Sequence, residues 1–317
     1  MSPLSWRRRR ETLTTAELRE VKSQVADALS RGSLAEAEAV ARAVMDAYPD
    51  AGPGDRRYLS VRTSWADTLN VLGQHVAAAR EYTTMLDTAG PVIGYDDGLA
   101  VVWRITRATQ FNYLGRYEDA EEDSRAAMEM AVRMRPARYR DRYPFVAVCN
   151  LVVARTWRGM PAEAELVART AIAEAAGVTD VSEGTVTALH RVLAVSLNAL
   201  GRYPEAIEVL QGRRHPEPAS LTGLCVVMGT AQLGAGRVAD AEVSAREAVS
   251  SAERFLAPAH FHALQAGTLL GAVLARRGRV DEARHMLQAN AAAWAGHFGD
   301  VHPRTIDARR ELAGTYE

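Results

Sequence analysis

The sequence predicts an all-α chain, an α-solenoid superhelix of about seven helix-turn-helix repeats with a C-terminal capping helix. The first observation behind this is a row of glycines, Gly32, Gly73, Gly115, Gly159, Gly201, Gly236 and Gly278, spaced by 41, 42, 44, 42, 35 and 42 residues. The second is that every one has an alanine five residues later: Ala37, Ala78, Ala120, Ala164, Ala206, Ala241 and Ala283. Alanine fills 57 of 317 positions, so chance would place it at only one or two of these seven sites. The third is a helical spacing of apolar residues on both sides of each glycine, with no segment that reads as a strand.

The elements follow in order. Residues 1–13, with Trp6 and the run Arg7 to Arg10, read as a flexible basic segment; the next residues are Glu11, Thr12 and Leu13 rather than the apolar run of an export signal. From residue 14 to 317 the pattern predicts one superhelical domain of about fifteen helices. The third unit shows the form of all of them. Its first helix runs from about Asp97 to Leu114, with Trp103, Arg107, Phe111 and Leu114 at helical spacing, and Glu118 to Arg133 forms the second. Gly115 separates the two, because glycine takes left-handed backbone angles just past a helix end at no steric cost. The alanine falls in the first turns of the second helix, where a methyl group lets two antiparallel helices approach closely.

Two stretches depart from the period. The loop Gly90 to Gly98 is rich in glycine, and near residues 211–219 two prolines, Pro216 and Pro218, stop the second helix of the fifth unit, so the stack is expected to bend or open there. No residue from Pro218 to Gly236 is charged, but Ser220, Thr222, Thr230 and Gln232 dilute the run and the repeat register continues through it, which predicts a buried helix and not a membrane span. The last helix, about Pro303 to Tyr316, caps the apolar end of the stack.

Composition narrows the chemistry. Arginine outnumbers lysine 37 to one, and the single Lys22 lacks the preceding GxxxxG of a phosphate loop, which argues against nucleotide and Schiff-base chemistry. A net charge of −1 provides no long-range field toward nucleic acid or acidic membranes. Cys149 and Cys225 lie in apolar stretches without CxxC spacing and read as reduced, buried thiols of a cytoplasmic protein. Arg133, Arg135, Arg138, Arg140 and Arg142, interleaved with Tyr139 and Tyr143, could pair phosphate or stack bases, but the acidic residues from Glu118 to Glu129 before them favour an internal charge pairing or a solvated loop. His260 and His262, two apart on an expected helix, point to different sides; neither HExxH nor GxSxG occurs, so no metal, cofactor or catalytic residue is assigned.

The turn sequences Leu114-Gly115-Arg116-Tyr117-Glu118-Asp119-Ala120, Leu200-Gly201-Arg202-Tyr203-Pro204-Glu205-Ala206 and Gly278-Arg279-Val280-Asp281-Glu282-Ala283 resemble the tetratricopeptide repeat (TPR). The mostly small residues seven positions before each glycine, Val25, Ala66, Ala108, Val152, Ala194, Gly229 and Gly271, fit the same pattern. A unit near 42 residues resembles the longer kinesin-light-chain-like subtype, as does Phe298-Gly299-Asp300-Val301-His302-Pro303-Arg304-Thr305. The arginine and alanine bias is that of a high-GC, actinobacterial-like coding sequence. The resemblance implies a right-handed superhelix whose first helices line a concave face.

On that face, residues thirteen, ten, six and three positions before each turn glycine form one stripe. Its polar members are the candidate binding residues: Thr63, Asp67, Asn70, Thr109, Asn112, Thr156, Arg191, Asn198 and Thr230. Asparagine recurs three positions before the glycine in three units, where its amide could hold a peptide backbone or bond the neighbouring repeat. The stripe becomes apolar along the array, through Cys149, Val153, Val226 and Leu233. The function expected is a non-catalytic binding or adaptor module that captures a peptide, a partner helix or a small ligand, with a regulatory role. An unusual enzyme or small-molecule carrier using Asp67, Arg191 and His190 is the alternative, and a self-assembly scaffold the third. The expected partner is a protein or peptide, or a small molecule; a homodimer is compatible with the sequence, no membrane contact is expected, and nucleic acid is disfavoured.

Overall fold

A computed structural model describes residues 14–47, 52–134, 143–179, 181–215 and 218–316. The basic segment 1–13 and most of the arginine-rich junction, residues 135–142, lie outside the described residues. Among the described residues there are sixteen helices and no strand: α1 (Thr15–Ser30), α2 (Leu34–Ala47), α3 (Arg56–Val71), α4 (His75–Thr88), α5 (Gly90–Ile93), α6 (Gly98–Tyr113), α7 (Tyr117–Ala131), α8 (Tyr143–Trp157), α9 (Pro161–Ala175), α10 (Glu183–Ala199), α11 (Tyr203–Leu210), α12 (Pro218–Gly234), α13 (Val238–Phe255), α14 (Phe261–Arg276), α15 (Val280–Phe298) and α16 (Pro303–Ala313). The expected glycine-rich loop contains the short α5, after which Gly94 turns the chain at φ 93°.

The seven turn glycines all have positive φ, from 72° to 85°. At each turn the amide after the glycine donates to the carbonyl five residues back, as Gln74 N does to Leu69 O at 2.9 Å and Arg116 N to Phe111 O at 2.8 Å. That bond satisfies a carbonyl the helix end would leave open and reverses the chain at once. All seven alanines are fully buried, so the close helix approach read from their spacing is present in every hairpin. Leading helices enter from longer connections and use side-chain caps: Thr14, Asp55, Asp97, Ser182, His260 and His302 each accept a backbone N–H of the helix they precede.

The acidic face of α7 is paired by arginines of the helices on either side of it. Arg107 binds Asp123 through two bonds of 2.6 and 2.7 Å, Arg104 joins at 3.2 Å, and Arg155 of α8 reaches Glu121 at 3.0 Å, tying α6, α7 and α8 together. At the irregular fifth unit, α11 ends at Leu210 and Gly212 turns the chain at φ 73°. The stack does not part there, because α12 packs on both α10 and α11.

The array also returns on itself. Ala257 N, between α13 and α14, donates to Val71 O at 3.2 Å, and Phe261 N donates to His75 Nε2 at 3.2 Å. His302 Nε2 donates to Tyr113 O at 3.0 Å. The connections around the sixth and seventh units therefore sit on the turns of the second and third. Two turn glycines are confined by this seam. A Cβ on Gly32 would lie 1.9 Å from Arg254 O, and one on Gly73 would lie 2.6 Å from the carbonyl carbon of Ala259, whereas one on Gly159 would meet nothing within 4 Å.

Gly159→Ala is expected to cost about 1 kcal/mol, the strain of a left-handed alanine, and to leave the shape unchanged. Gly73→Ala should cost more and enlarge the radius of gyration in small-angle scattering, because the seam must yield; equal effects of the two substitutions would contradict the closure.

Candidate functional site

Closure turns the concave face into a hollow of three connected lobes. The first, about 630 Å³, is bounded by Asn70, Val146, Cys149, Thr185 and Ala188 among others. The second, about 140 Å³, lies between Asn112, Val153, Val195, Asn198, Val227 and Phe261. The third, about 230 Å³, runs past Leu233, Thr268 and Trp294 toward α16. Thr109, Tyr113, Asn150, Arg191 and His262 face both the first and second lobes, and Val226, Thr230, Gln265 and Arg304 both the second and third.

Of the nine candidate binding residues, Asn70, Thr109, Asn112, Arg191, Asn198 and Thr230 line this hollow. The asparagine amides point their nitrogens at the next repeat: Asn112 Nδ2 donates to Asn150 O at 3.1 Å and Asn198 Nδ2 to Val227 O at 3.1 Å. A carbonyl partner fixes which end of each amide is nitrogen. Asn112 Oδ1 and Asn198 Oδ1 are then left buried with no hydrogen-bond partner. Asn70 Oδ1 is occupied, accepting from Gln110 Nε2 at 3.1 Å.

The other three are engaged elsewhere. Thr156 is buried and its hydroxyl meets Ser196 Oγ at 2.9 Å, so it joins α8 to α10. Thr63 Oγ1 accepts from Trp103 Nε1 at 2.7 Å, and Asp67 accepts from the Tyr82 hydroxyl at 2.5 Å. The surrounding protein raises the Asp67 pKa, against that hydrogen bond and the charge of Lys22. The trio Asp67, Arg191 and His190 does not converge: His190 Nδ1 donates to Val186 O of its own helix at 2.8 Å, and neither it nor Asp67 lines the three lobes.

The histidine reading needs correction. His260 is not on a helix with His262 but caps α14, so the two rings lie 5.6 Å apart instead of on opposite sides, and His75 approaches His260 at 5.1 Å. No group of three or more His, Cys, Asp or Glu among the described residues is arranged to hold a metal ion. Hydrogen bonds fix the tautomers here: His262 Nδ1 donates to Gln265 Oε1 at 3.0 Å, and its Nε2 accepts from the Tyr113 hydroxyl at 3.1 Å.

Burial, helped by Arg191, pushes the His262 pKa down to about 3, while burial pushes the Tyr113 phenol and the Cys149 thiol up to about 12 against the same guanidinium. All three are uncharged near neutrality. Arg304 pairs with Asp307 at 3.0 Å and lies 3.7 Å over the Trp157 ring. Arg191 has no hydrogen-bond or ion-pair partner among the described residues.

Tyr113, Asn150, Trp157, Phe261, His262, Gln265 and Arg304 belong to the hollow and were not foreseen. One signal was present. The position two before the turn glycine holds Ser30, Val71, Tyr113, Trp157, Ala199, Gly234 and Arg276, and its two aromatics are the residues that meet Phe261 and Arg304 across the seam.

A family profile described as tetratricopeptide repeat matches residues 264–304. No curated protein matches the sequence. Among solved structures, NprR in complex with its cognate peptide NprX is similar with a TM-score of 0.63 at 12% identity, over 97% of this chain and 90% of that one. A tetratricopeptide repeat protein from Parabacteroides merdae gives 0.51 at 14% identity, over 95% and 100%. The nearly identical TPR-like repeats of a putative kinesin light chain from Podosopora anserina give 0.50 at 16%, over 70% and 99%. The fold is thus that of the helical-repeat solenoids, similar to tetratricopeptide and kinesin-light-chain-like repeat structures, and the segment 264–304 carries the tetratricopeptide-repeat pattern itself. No helix among the described residues is long and apolar enough to cross a membrane.

The seam carries a pH dependence. Burial lowers the His75 pKa from 6.5 to about 4, so the native state favours the neutral ring whose Nε2 accepts from Phe261. Its contribution is complete above the unfolded value, 6.5, and is lost as pH falls toward the folded value, about 3 kcal/mol by pH 4. Thermal melts from pH 8 to 4 should show this loss, and His75→Gln should make the curve shallower while the buried His262 keeps part of the slope; identical pH slopes would remove His75 from the account.

Proposed function

We propose that the protein is a binding module that holds a short peptide in the hollow of its superhelix. The observation that carries this is the pair of buried amide oxygens, Asn112 Oδ1 and Asn198 Oδ1, which no protein donor satisfies. An unsatisfied buried acceptor costs about 1–3 kcal/mol, and the backbone N–H of an extended peptide supplies the missing donor after a small rotation of the amide. The two belong to α6 and α10, on either side of the middle lobe.

Size selects among the occupants expected from the sequence. A helix with its side chains is about 10–12 Å across and needs a continuous open groove, which a hollow divided into lobes of 630, 140 and 230 Å³ does not offer. A few extended residues fit. The fold similarity to NprR, a structure holding its cognate peptide, supports the same reading. An adaptor or regulatory role would follow if the bound peptide changes how the outer surface meets another protein.

The test passes a pool of random five-residue peptides over the immobilised full chain. The wild type should retain a subset, and Asn112→Ala with Asn198→Ala should reduce retention about tenfold or more, since each lost hydrogen bond is worth about 1 kcal/mol. Equal retention would take the asparagines out of the site. Retention of no peptide, with small acids bound instead, would replace peptide capture by a carrier function.

A further inference from the structure

The second turn departs from the others in its chemistry. In four hairpins the residue after the turn glycine is an arginine that binds a carboxylate three residues on: Arg116 with Asp119, Arg202 with Glu205, Arg237 with Asp240 and Arg279 with Glu282, at 2.5–2.7 Å. In the second hairpin these two positions hold Gln74 and Ala77, and Val76 between them is 57% exposed. Coverage by the seam does not account for the change, because the third turn lies under His302 and Pro303 and keeps its pair.

A pocket of about 460 Å³ stands here instead. Its walls come from both sides of the seam: Leu72, Val76 and Leu114 from the second and third units, and Ala259 and Phe298 from the segments that return onto them. Arg80, one turn past Val76 on α4, and His297, in the last turn of α15, line the same pocket. Neither side chain has a hydrogen bond or ion pair among the described residues. The helix neighbours of Arg80 three and four residues away are Val76, Ala77, Thr83 and Thr84, and Asp300, three residues after His297, is held by Arg309. No residue lining the pocket is Asp or Glu.

Apolar surface left open beside unpaired basic groups complements a segment that brings its own carboxylates. A cavity of about 150 Å³ accepts a group the size of benzene, so a pocket of about 460 Å³ takes a large apolar side chain together with the backbone that carries it.

We propose that this pocket docks an acidic, apolar segment of another protein: a leucine or phenylalanine enters between Val76 and Phe298, and carboxylates on either side of it pair with Arg80 and His297. Because the walls belong to both sides of the seam, the partner binds the closed form and holds it closed. This docking is independent of what the hollow contains, since the pocket and the three lobes share no lining residue.

Nonapeptide pools, acetylated and amidated so that no terminal charge remains, supply the probes. One carries a central leucine or phenylalanine flanked by Asp and Glu; a second replaces the acids by Asn and Gln; a third replaces them by Lys and Arg; a fourth keeps the acids around a central serine. Retention on the immobilised full chain is compared for wild type, Arg80→Glu, Val76→Asp, Gly73→Ala and the double asparagine variant. Wild type should retain the first pool at least tenfold better than the other three. Arg80→Glu and Val76→Asp should lose that difference while melting with the wild type, since both side chains are exposed. Gly73→Ala should weaken retention as the seam yields, and the double asparagine variant should retain the pool as the wild type does.

Equal retention of the acidic and neutral pools overturns the choice of an acidic partner. Retention unchanged by Arg80→Glu and Val76→Asp but lost with the asparagines puts the peptides in the hollow, which overturns the outer site and leaves peptide capture standing. Full retention by Gly73→Ala overturns the dependence on closure. A concentration-dependent dimer that Val76→Asp abolishes, with no pool retained, makes a second copy the occupant and overturns the partner. Retention of no pool, without self-association, overturns the docking site itself.

Discussion

The seam between the two ends of the array is the constraint on which the site depends. Hairpins linked by glycine turns and packed through alanines make a curved stack, but a curved stack alone is an open surface. It becomes a hollow because Val71 and Tyr113 offer carbonyls, and His75 a ring nitrogen, to groups nearly two hundred residues later in the chain. The glycines at the first turns serve two ends at once. Their positive φ reverses the chain, and their missing side chains let the returning connection touch backbone, as the contacts around Gly32 and Gly73 show.

Polar groups across the seam are connected in series. Gln110 accepts from His75 Nδ1 at 2.9 Å and donates to Asn70 Oδ1 at 3.1 Å, so the third unit's leading helix is coupled to both the second unit and the seam histidine. Such buried chains are stable only when every donor and acceptor is satisfied, and they then fix geometry more firmly than apolar packing would. Within the same region two amide oxygens remain open. The contrast between a satisfied chain and neighbouring unsatisfied acceptors is what separates scaffold from candidate site here: asparagine nitrogens bridge repeats, while their oxygens are left for something else. Of the two readings the sequence allowed, the bond between repeats is present at Asn112 and Asn198, and with their nitrogens so engaged neither amide can donate and accept at once to a peptide backbone.

The fold was legible because its determinants are local. Gly115, Ala120 and the small Ala108 specify one hairpin within a dozen residues, and seven such hairpins admit one architecture. The candidate site was legible in part. The stripe rule pointed to Asn70, Thr109, Asn112, Arg191, Asn198 and Thr230, which line the hollow, since helical periodicity places them on one face. It also selected Thr156 and Thr63, whose hydroxyls are taken up by Ser196 and Trp103, because periodicity gives direction and not the distance to the next wall. Phe261, His262 and Arg304 escaped it altogether. They stand near the starts of leading helices and reach the hollow only through the closure, a contact between segments far apart in sequence that no repeat period encodes. His260 escaped for a related reason: the helix begins one residue later than its apolar pattern suggests, and a cap points elsewhere than a helical residue does.

The electrostatic character of the hollow follows from the same geometry. Tyr113, Cys149 and His262 are buried, and desolvation disfavours the charged form of each, so these three side chains are neutral near pH 7. A neutral wall does not screen a single cation. Two arginines line the middle lobe, and Arg304 is already held by Asp307 and the Trp157 ring, which leaves Arg191 as the unpaired one.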